Sequence, residues 1–204
     1  MPPLPIPTLQ ILDLLATAVF AISGSLVAAG ARQTMVTFAF FAVATGVGGG
    51  TVRDLFIGAP VFWIANPVPL VVCLGAALVV WCTPRGWWAE RALEWFDAIG
   101  ICAYGVYGAA KALEYGVPAL PSAVMGVITA CLGGIFRDVL AGVPSIVIRP
   151  EIYVTAVAAG SGSFVILLSL GVPAAIAAMV AFALAFVVRA LAITRGLALP
   201  HYER

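Results

Sequence analysis

Slid against itself by 84 positions, the chain meets its own pattern without a gap. Asp13 falls on Asp97 (97 − 13 = 84), Gly24 on Gly108, Thr45 on Thr129 and Gly49-Gly50 on Gly133-Gly134. In the same register Arg53-Asp54 meets Arg137-Asp138, Gly58 meets Gly142 and Pro60 meets Pro144. Alanine and valine matches are common in an apolar chain. A rare charged pair recurring in phase with glycines and a proline is not, and self-similarity at a fixed offset marks a duplicated unit.

The solvent for that unit follows from its apolar content. Hydrophobic residues make up 63% of the 204 and charged residues 9%, whereas a soluble domain carries about a quarter charged. Each hydrocarbon crossing takes about 20 residues of helix. Punctuation by glycine, proline and charge predicts spans near 9–29, 34–57, 67–83, 95–115, 119–140, 151–169 and 172–194. The expected fold is an all-α membrane protein of seven transmembrane helices. One repeat holds three spans, an odd number, so its second copy starts from the opposite face of the bilayer and the repeats are inverted. The expected organisation is a first three-helix repeat over 1–84, a cytoplasmic connection over 85–94, a second, inverted repeat over 95–169, and a seventh helix with its tail over 170–204.

Orientation follows from arginine, because cytoplasmic loops retain positive charge. With the N-terminus outside and the C-terminus in the cytoplasm of an inner (cell) membrane, Arg32, Arg85, Arg91, Arg149, Arg195 and Arg204 all lie inside. The N-terminal Met1-Pro2-Pro3-Leu4-Pro5 lacks the positive region of a cleaved leader, which predicts an uncleaved first span. Trp63, Trp81, Trp87, Trp88 and Trp95 suit headgroup depth.

The net charge of +1 argues against nucleic-acid binding. Cys73, Cys82, Cys102 and Cys131 stand singly without ligand spacing and read as buried thiols, and the lone His201 lies in the tail, so neither metal nor cofactor is expected. Without a Ser/His pairing, a His-Glu-x-x-His or a phosphate loop, no enzyme is expected either.

The chemistry then falls on residues at membrane depth. Gly48, Gly49 and Gly50 sit inside the second span and Gly133 and Gly134 at the equivalent point of the fifth, a pattern that invites a break or kink where a pathway passes, although the same glycines also suit close helix packing. Arg53, Asp54, Arg137 and Asp138 follow at once. Charge there costs about 2.5–3.5 kcal/mol per residue on insertion scales and needs a partner or a water-filled cavity. Asp13 is expected near Arg53, and Asp97 near Arg137, as a network at each mouth or as a structural latch. Lys111, opposite Val27 in the repeat, has no counterpart; it can snorkel outward, with Glu114 as a candidate partner, or project into the pathway in a gating role. Ser23, Ser25, Thr45, Thr129, Tyr104 and Tyr107 are possible ion-facing hydroxyls, though in membrane helices such groups also bond backbone and neighbouring helices.

Gly48-Gly49-Gly50-Thr51-Val52-Arg53-Asp54, its echo Gly133-Gly134-Ile135-Phe136-Arg137-Asp138 and the seven-span pattern together resemble the bacterial branch of the trimeric intracellular cation channels, the TRIC family. That resemblance implies two inverted three-helix repeats plus a seventh helix, assembled as a homotrimer. It implies a pore inside each protomer between kinked second and fifth helices, carrying monovalent cations, chiefly potassium. Bacterial relatives have also been grouped as a glycine transporter domain, which leaves a secondary carrier of a small amino acid as the alternative. Besides cations and a second and third copy of the chain, membrane lipid is the expected partner.

Overall fold

The computed structural model describes residues 6–88 and 91–200. The N-terminal prolines, Glu90 of the central connection, and His201 and Arg204 of the tail lie outside the described residues. Among the described residues the chain forms eight α-helices and no strand: α1 (Ile6–Gly30), α2 (Met35–Phe56), α3 (Phe62–Ala65), α4 (Val68–Cys82), α5 (Ala92–Glu114), α6 (Ala119–Leu140), α7 (Val154–Ser169) and α8 (Ala174–Arg195). Helix starts follow local chemistry. Thr34 caps α2 by accepting from the Thr37 amide, and α6 and α8 begin directly after Pro118 and Pro173.

Four stretches are long and apolar enough to cross a bilayer: Leu12–Gly30, Met35–Phe56, Ala119–Leu140 and Ala174–Arg195. The helices α4 and α7, of 15 and 16 residues, are apolar but short, reaching only ~22–24 Å at the α-helical rise. Each is preceded by a turn that the repeat pattern did not predict: the four-residue α3 in the first copy and a 3₁₀ turn at Ile146–Ile148 in the second. These two begin at equivalent positions, since 62 + 84 = 146.

The duplication is written into the packing. The trio α1, α2 and α4 packs together as α5, α6 and α7 do, and α8 closes against α5 and α7. The halves meet where α2 crosses α6 and α1 crosses α5. A side-chain carbon on Gly49 would strike the Thr129 carbonyl, and one on Gly133 would lie 2.9 Å from the Thr45 carbonyl. Thr45 and Gly49 are the repeat equivalents of Thr129 and Gly133, so the contact is reciprocal, as at an interface between twofold-related copies. The later residue of one helix meets the earlier residue of the other, so α2 and α6 run antiparallel. On the same pseudo-axis Phe20 stacks on its own equivalent, Tyr104, at 5.4 Å.

One expectation is narrowed and one changes. Both α2 and α6 stay α-helical through Gly46–Gly50 and Gly133–Gly134, so neither helix is broken there. The glycines let two backbones touch, an approach that any side chain would prevent. Of the four cysteines, Cys73, Cys102 and Cys131 are buried as expected, but Cys82, in the last turn of α4, is exposed.

Candidate functional site

Each Arg–Asp pair stands in the last turn of its helix, α2 or α6, and the chain then reverses in the same way. Gly58 and Gly142 adopt φ of 70° and 68°, and the amides of Ala59 and Val143 bond back to the carbonyls of Asp54 and Asp138. The reversal brings the amide of Phe62 to Asp54 Oδ2 at 2.9 Å, and that of Ile146 to Asp138 Oδ2 at 3.0 Å. The repeated Gly-x-Pro therefore marks a turn that delivers a backbone donor to each aspartate.

In the node at the end of α2, Arg53 is fully buried and its Nε donates to Asp54 Oδ1 at 2.8 Å. Lys111 Nζ, from α5, reaches the same oxygen at 2.8 Å. Lys111 is only 13% exposed, so it points to Asp54, the inward of its two alternatives, and not to the candidate partner Glu114. The Arg53 guanidinium lies over the Tyr107 ring at 4.8 Å and the Phe62 ring at 5.6 Å. Asp13 lies close enough to Arg53 to interact with its charge but makes no direct ion pair with it. Its carboxylate faces the Tyr107 hydroxyl, and its Oδ1 is buried without a hydrogen-bond partner.

In the node at the end of α6, Arg137 Nε donates to Asp138 Oδ1 at 2.9 Å. Its Nη1 donates to both Asp97 Oδ1 and Ser23 Oγ at 2.6 Å. Ser23 and Tyr107 are repeat equivalents (23 + 84 = 107), which explains the difference between the nodes. A small hydroxyl lets Arg137 reach Asp97, whereas the Tyr107 ring stacked under Arg53 takes up the corresponding space. Asp97 Oδ2 and the hydroxyl of buried Tyr153 have no hydrogen-bond partner, and both surround Gly134.

Between the nodes lies the glycine crossing. Gly48 abuts the Phe136 ring, Gly50 the Phe62 ring, and Gly49 and Gly133 the opposite backbone. Thr45 Oγ1 is buried there without a partner, while Thr129 Oγ1 bonds back to the Met125 carbonyl at 2.7 Å and Ser25 to Ala21 at 2.8 Å. Tyr104 accepts from Thr17 at 2.6 Å and donates to the Gly46 carbonyl at 3.0 Å, tying α5 to α1 and α2. The structure thus gathers Arg53, Asp54, Lys111, Asp13 and Tyr107 at one end and Arg137, Asp138, Asp97 and Ser23 at the other. Sequence reasoning missed Phe62 and Tyr153, since neither matches its repeat equivalent. It also missed Arg189 of α8, which pairs with Glu151 at 2.9 Å and lies over the Tyr153 ring at 5.2 Å.

With formal charges, the α2 node holds two cations against two carboxylates and the α6 node one cation against two. An all-helical apolar bundle with a duplicated unit, reciprocal antiparallel contacts and a charged cluster at each end of the central crossing defines a multi-pass membrane protein of the internal-repeat kind. The sequence profile of the family described as "Glycine transporter" matches residues 10–85 and again 94–169, two matches separated by the same offset (94 − 10 = 84). The chain is 38% identical to a UPF0126 membrane protein of Vibrio cholerae, with 95% of this chain and 82% of that protein covered. It is 36% identical to the UPF0126 inner membrane protein YadS of Escherichia coli K12, with 94% of each covered. Among solved structures, the TRIC trimeric intracellular cation channel orthologue of Rhodobacter sphaeroides superposes with a TM-score of 0.86 at 37% identity, covering 93% of this chain and 99% of that one. A structure described as a basis for conductance through TRIC cation channels gives 0.84 at 27% identity, covering 96% and 97%. The chain belongs to the TRIC family.

Proposed function

We propose that this protein is a monovalent cation channel of the inner membrane, conducting potassium, assembled as a homotrimer with a pore inside each protomer. The observation that carries the reading is the likeness to the Rhodobacter channel over nearly the full length of both chains. In this reading seven spans cross the bilayer: α1, α2, α4, α5, α6, α7 and α8. Residues 1–84 and 95–169 are the two repeats, in opposite orientations, 85–94 the cytoplasmic connection, and 170–204 the seventh helix and tail. The antiparallel crossing of α2 and α6 supports that inversion, and the distribution of arginine supports an outer N-terminus and a cytoplasmic C-terminus.

The pore runs along the α2/α6 crossing. Orphaned buried oxygens on Asp13, Thr45, Asp97 and Tyr153 support this course, because unpaired polar atoms at membrane depth are costly unless water or an ion reaches them. Contact of Gly49 and Gly133 with the opposite backbone makes the crossing the constriction of a closed state. Arg53 and Arg137 are already engaged by carboxylates, so neither presents an uncompensated positive charge to a cation. Gly48, Gly50, Gly134 and the hydroxyls of Tyr104, Tyr107 and Thr129 line the approach.

The family description favours a second reading, a secondary carrier of glycine or a similar small amino acid. Planar-bilayer recording of the purified protein separates the two. Unitary potassium currents are expected. Saturable, gradient-coupled glycine uptake into proteoliposomes without unitary steps would overturn the channel.

A further inference from the structure

Arg32 is the one non-glycine residue with positive φ among the described residues, at 52°. It ends α1: its amide donates to the Ala29 carbonyl at 3.1 Å and the Gln33 amide to the Ala28 carbonyl at 3.1 Å. The same two bonds end α5 at the repeat offset, from Gly116 to Leu113 and from Val117 to Ala112, each at 3.0 Å. In that copy the left-handed residue is Gly116, with φ of 79°. One turn, built twice, therefore carries glycine in the second repeat and arginine in the first, at the position where a Cβ is disfavoured. An arginine favourable to the α1 dipole would serve as well one residue earlier, in unstrained helix. The turn itself does not account for Arg32, and strain held without local benefit points to a function for the side chain.

That side chain borders a cavity of about 230 Å³ where the ends of α1 and α4 meet the start of α2, lined with it by Gln33, Phe38, Val80, Trp81 and Thr83. Arg32 is exposed and has no ion pair among the described residues. The Gln33 amide and Thr83 hydroxyl are turned to the backbone, leaving the guanidinium as the cavity's charged donor. The opposite wall is apolar: Trp81 stands edge-on to Phe38 at 5.0 Å. From the cavity the outer face of α4 continues through exposed Val79, Leu78 and Leu74, a surface suited to acyl chain. A cation at the rim, an indole beside it and an apolar track leading away along a membrane helix match a phospholipid of negative charge better than a free anion, which has no use for the apolar wall. We infer that this cavity binds an anionic phospholipid headgroup, with Arg32 holding its phosphate.

The test is native mass spectrometry of the purified protein titrated with phosphatidylglycerol or phosphatidylcholine, for wild type, Arg32→Gly and Arg32→Gln, with melting temperatures measured in the same detergent. Wild type should prefer phosphatidylglycerol by about fivefold, the effect of one basic side chain near an anionic headgroup. Both variants should lose that preference. Arg32→Gly should also melt higher than wild type, because it relieves the backbone, whereas Arg32→Gln should not. A preference retained in both variants would overturn the site, as would displacement of the lipid by millimolar inorganic phosphate. A melting point of Arg32→Gly below wild type would overturn the argument from strain that assigns Arg32 this role.

Discussion

Replacing Gly49 by alanine tests the antiparallel crossing directly. In an unbroken helix the change contributes about 1 kcal/mol through helix propensity. Against that, the new Cβ falls on the carbonyl of Thr129, which belongs to the backbone of α6 and cannot swing aside as a side chain would. Overpacking of this kind costs about 1–3 kcal/mol, and a backbone obstacle belongs in the upper part of that range, leaving a net loss of about 1–2 kcal/mol. Gly75 in α4 supplies the control: nothing lies within 4 Å of its Cβ position, so Gly75→Ala should keep the propensity gain. The two variants should therefore differ by about 2–3 kcal/mol although the chemical change is identical. The assay is fluorescence-detected gel filtration after graded heating in one mild detergent. Single-channel recording adds a second readout, since forcing α2 and α6 apart should raise the open probability of a pore closed at this crossing. Gly49→Ala melting at or above Gly75→Ala would refute the backbone contact and return the glycines to a role in bending the helix.

Three further outcomes follow from the charged nodes and the arginine distribution. The double variant Arg53→Gln, Asp13→Asn leaves Asp54 paired with Lys111, whereas Arg137→Gln, Asp97→Asn leaves Asp138 with only the Ile146 amide; breaking a buried pair costs about 3–5 kcal/mol, so the second double should be much the less stable on melting, and equal losses would mean that Lys111 does not hold Asp54. Lys111→Met takes the α2 node from neutral to a net charge of −1 while Arg53 still pairs with Asp54, and unitary potassium current should rise; unchanged current at unchanged stability would put Lys111 off the ion path. A C-terminal alkaline phosphatase fusion, active only in the periplasm, should be inactive, and strong activity would reverse the proposed orientation.

The repeat was legible because its markers are rare residues in fixed phase, and the helices followed: the expected 119–140 is Ala119–Leu140, and 34–57 is Met35–Phe56. The Arg–Asp pairs were legible for the same reason, while the turn behind them showed in sequence only as a repeated glycine and proline. What stayed hidden lies between the copies. Lys111 finds Asp54 across 57 residues of sequence, and the Tyr107 ring lies against Arg53 where Asp13 makes no direct pair, neither of which any periodicity records. Glycine runs are ambiguous in principle, since low propensity and close approach select the same residue. The position of the Thr129 carbonyl shows the close approach, which no sequence pattern records. The short elements at Phe62–Ala65 and Ile146–Ile148 share only Ile64 with Ile148 in an apolar run and were found only as structure.

The two nodes share a skeleton and differ in chemistry at four pairs of equivalent positions. Lys111 stands against Val27, Tyr107 against Ser23, Tyr153 against Pro69 (69 + 84 = 153), and Phe62, under Arg53, against Ile146. The first adds a cation to the α2 node. The second replaces a hydroxyl that Arg137 uses by a ring on which Arg53 lies. The third places a phenol beside Asp97 and carries Arg189 of α8 over its ring, so the helix outside the repeats braces one node and not the other. Duplication alone would make the two ends of the crossing electrically alike, and a passage between them would treat entry from either side equally. A net charge of −1 at the α6 node against zero at the α2 node removes that equality. In the proposed channel, at a separation of about 4 Å and an effective dielectric near 20, one unit of charge is worth about 4 kcal/mol to a cation, which would favour a cation at the α6 end. These side chains make the two mouths electrically unlike on an otherwise symmetric frame, while the electrochemical gradient sets the net direction of flow.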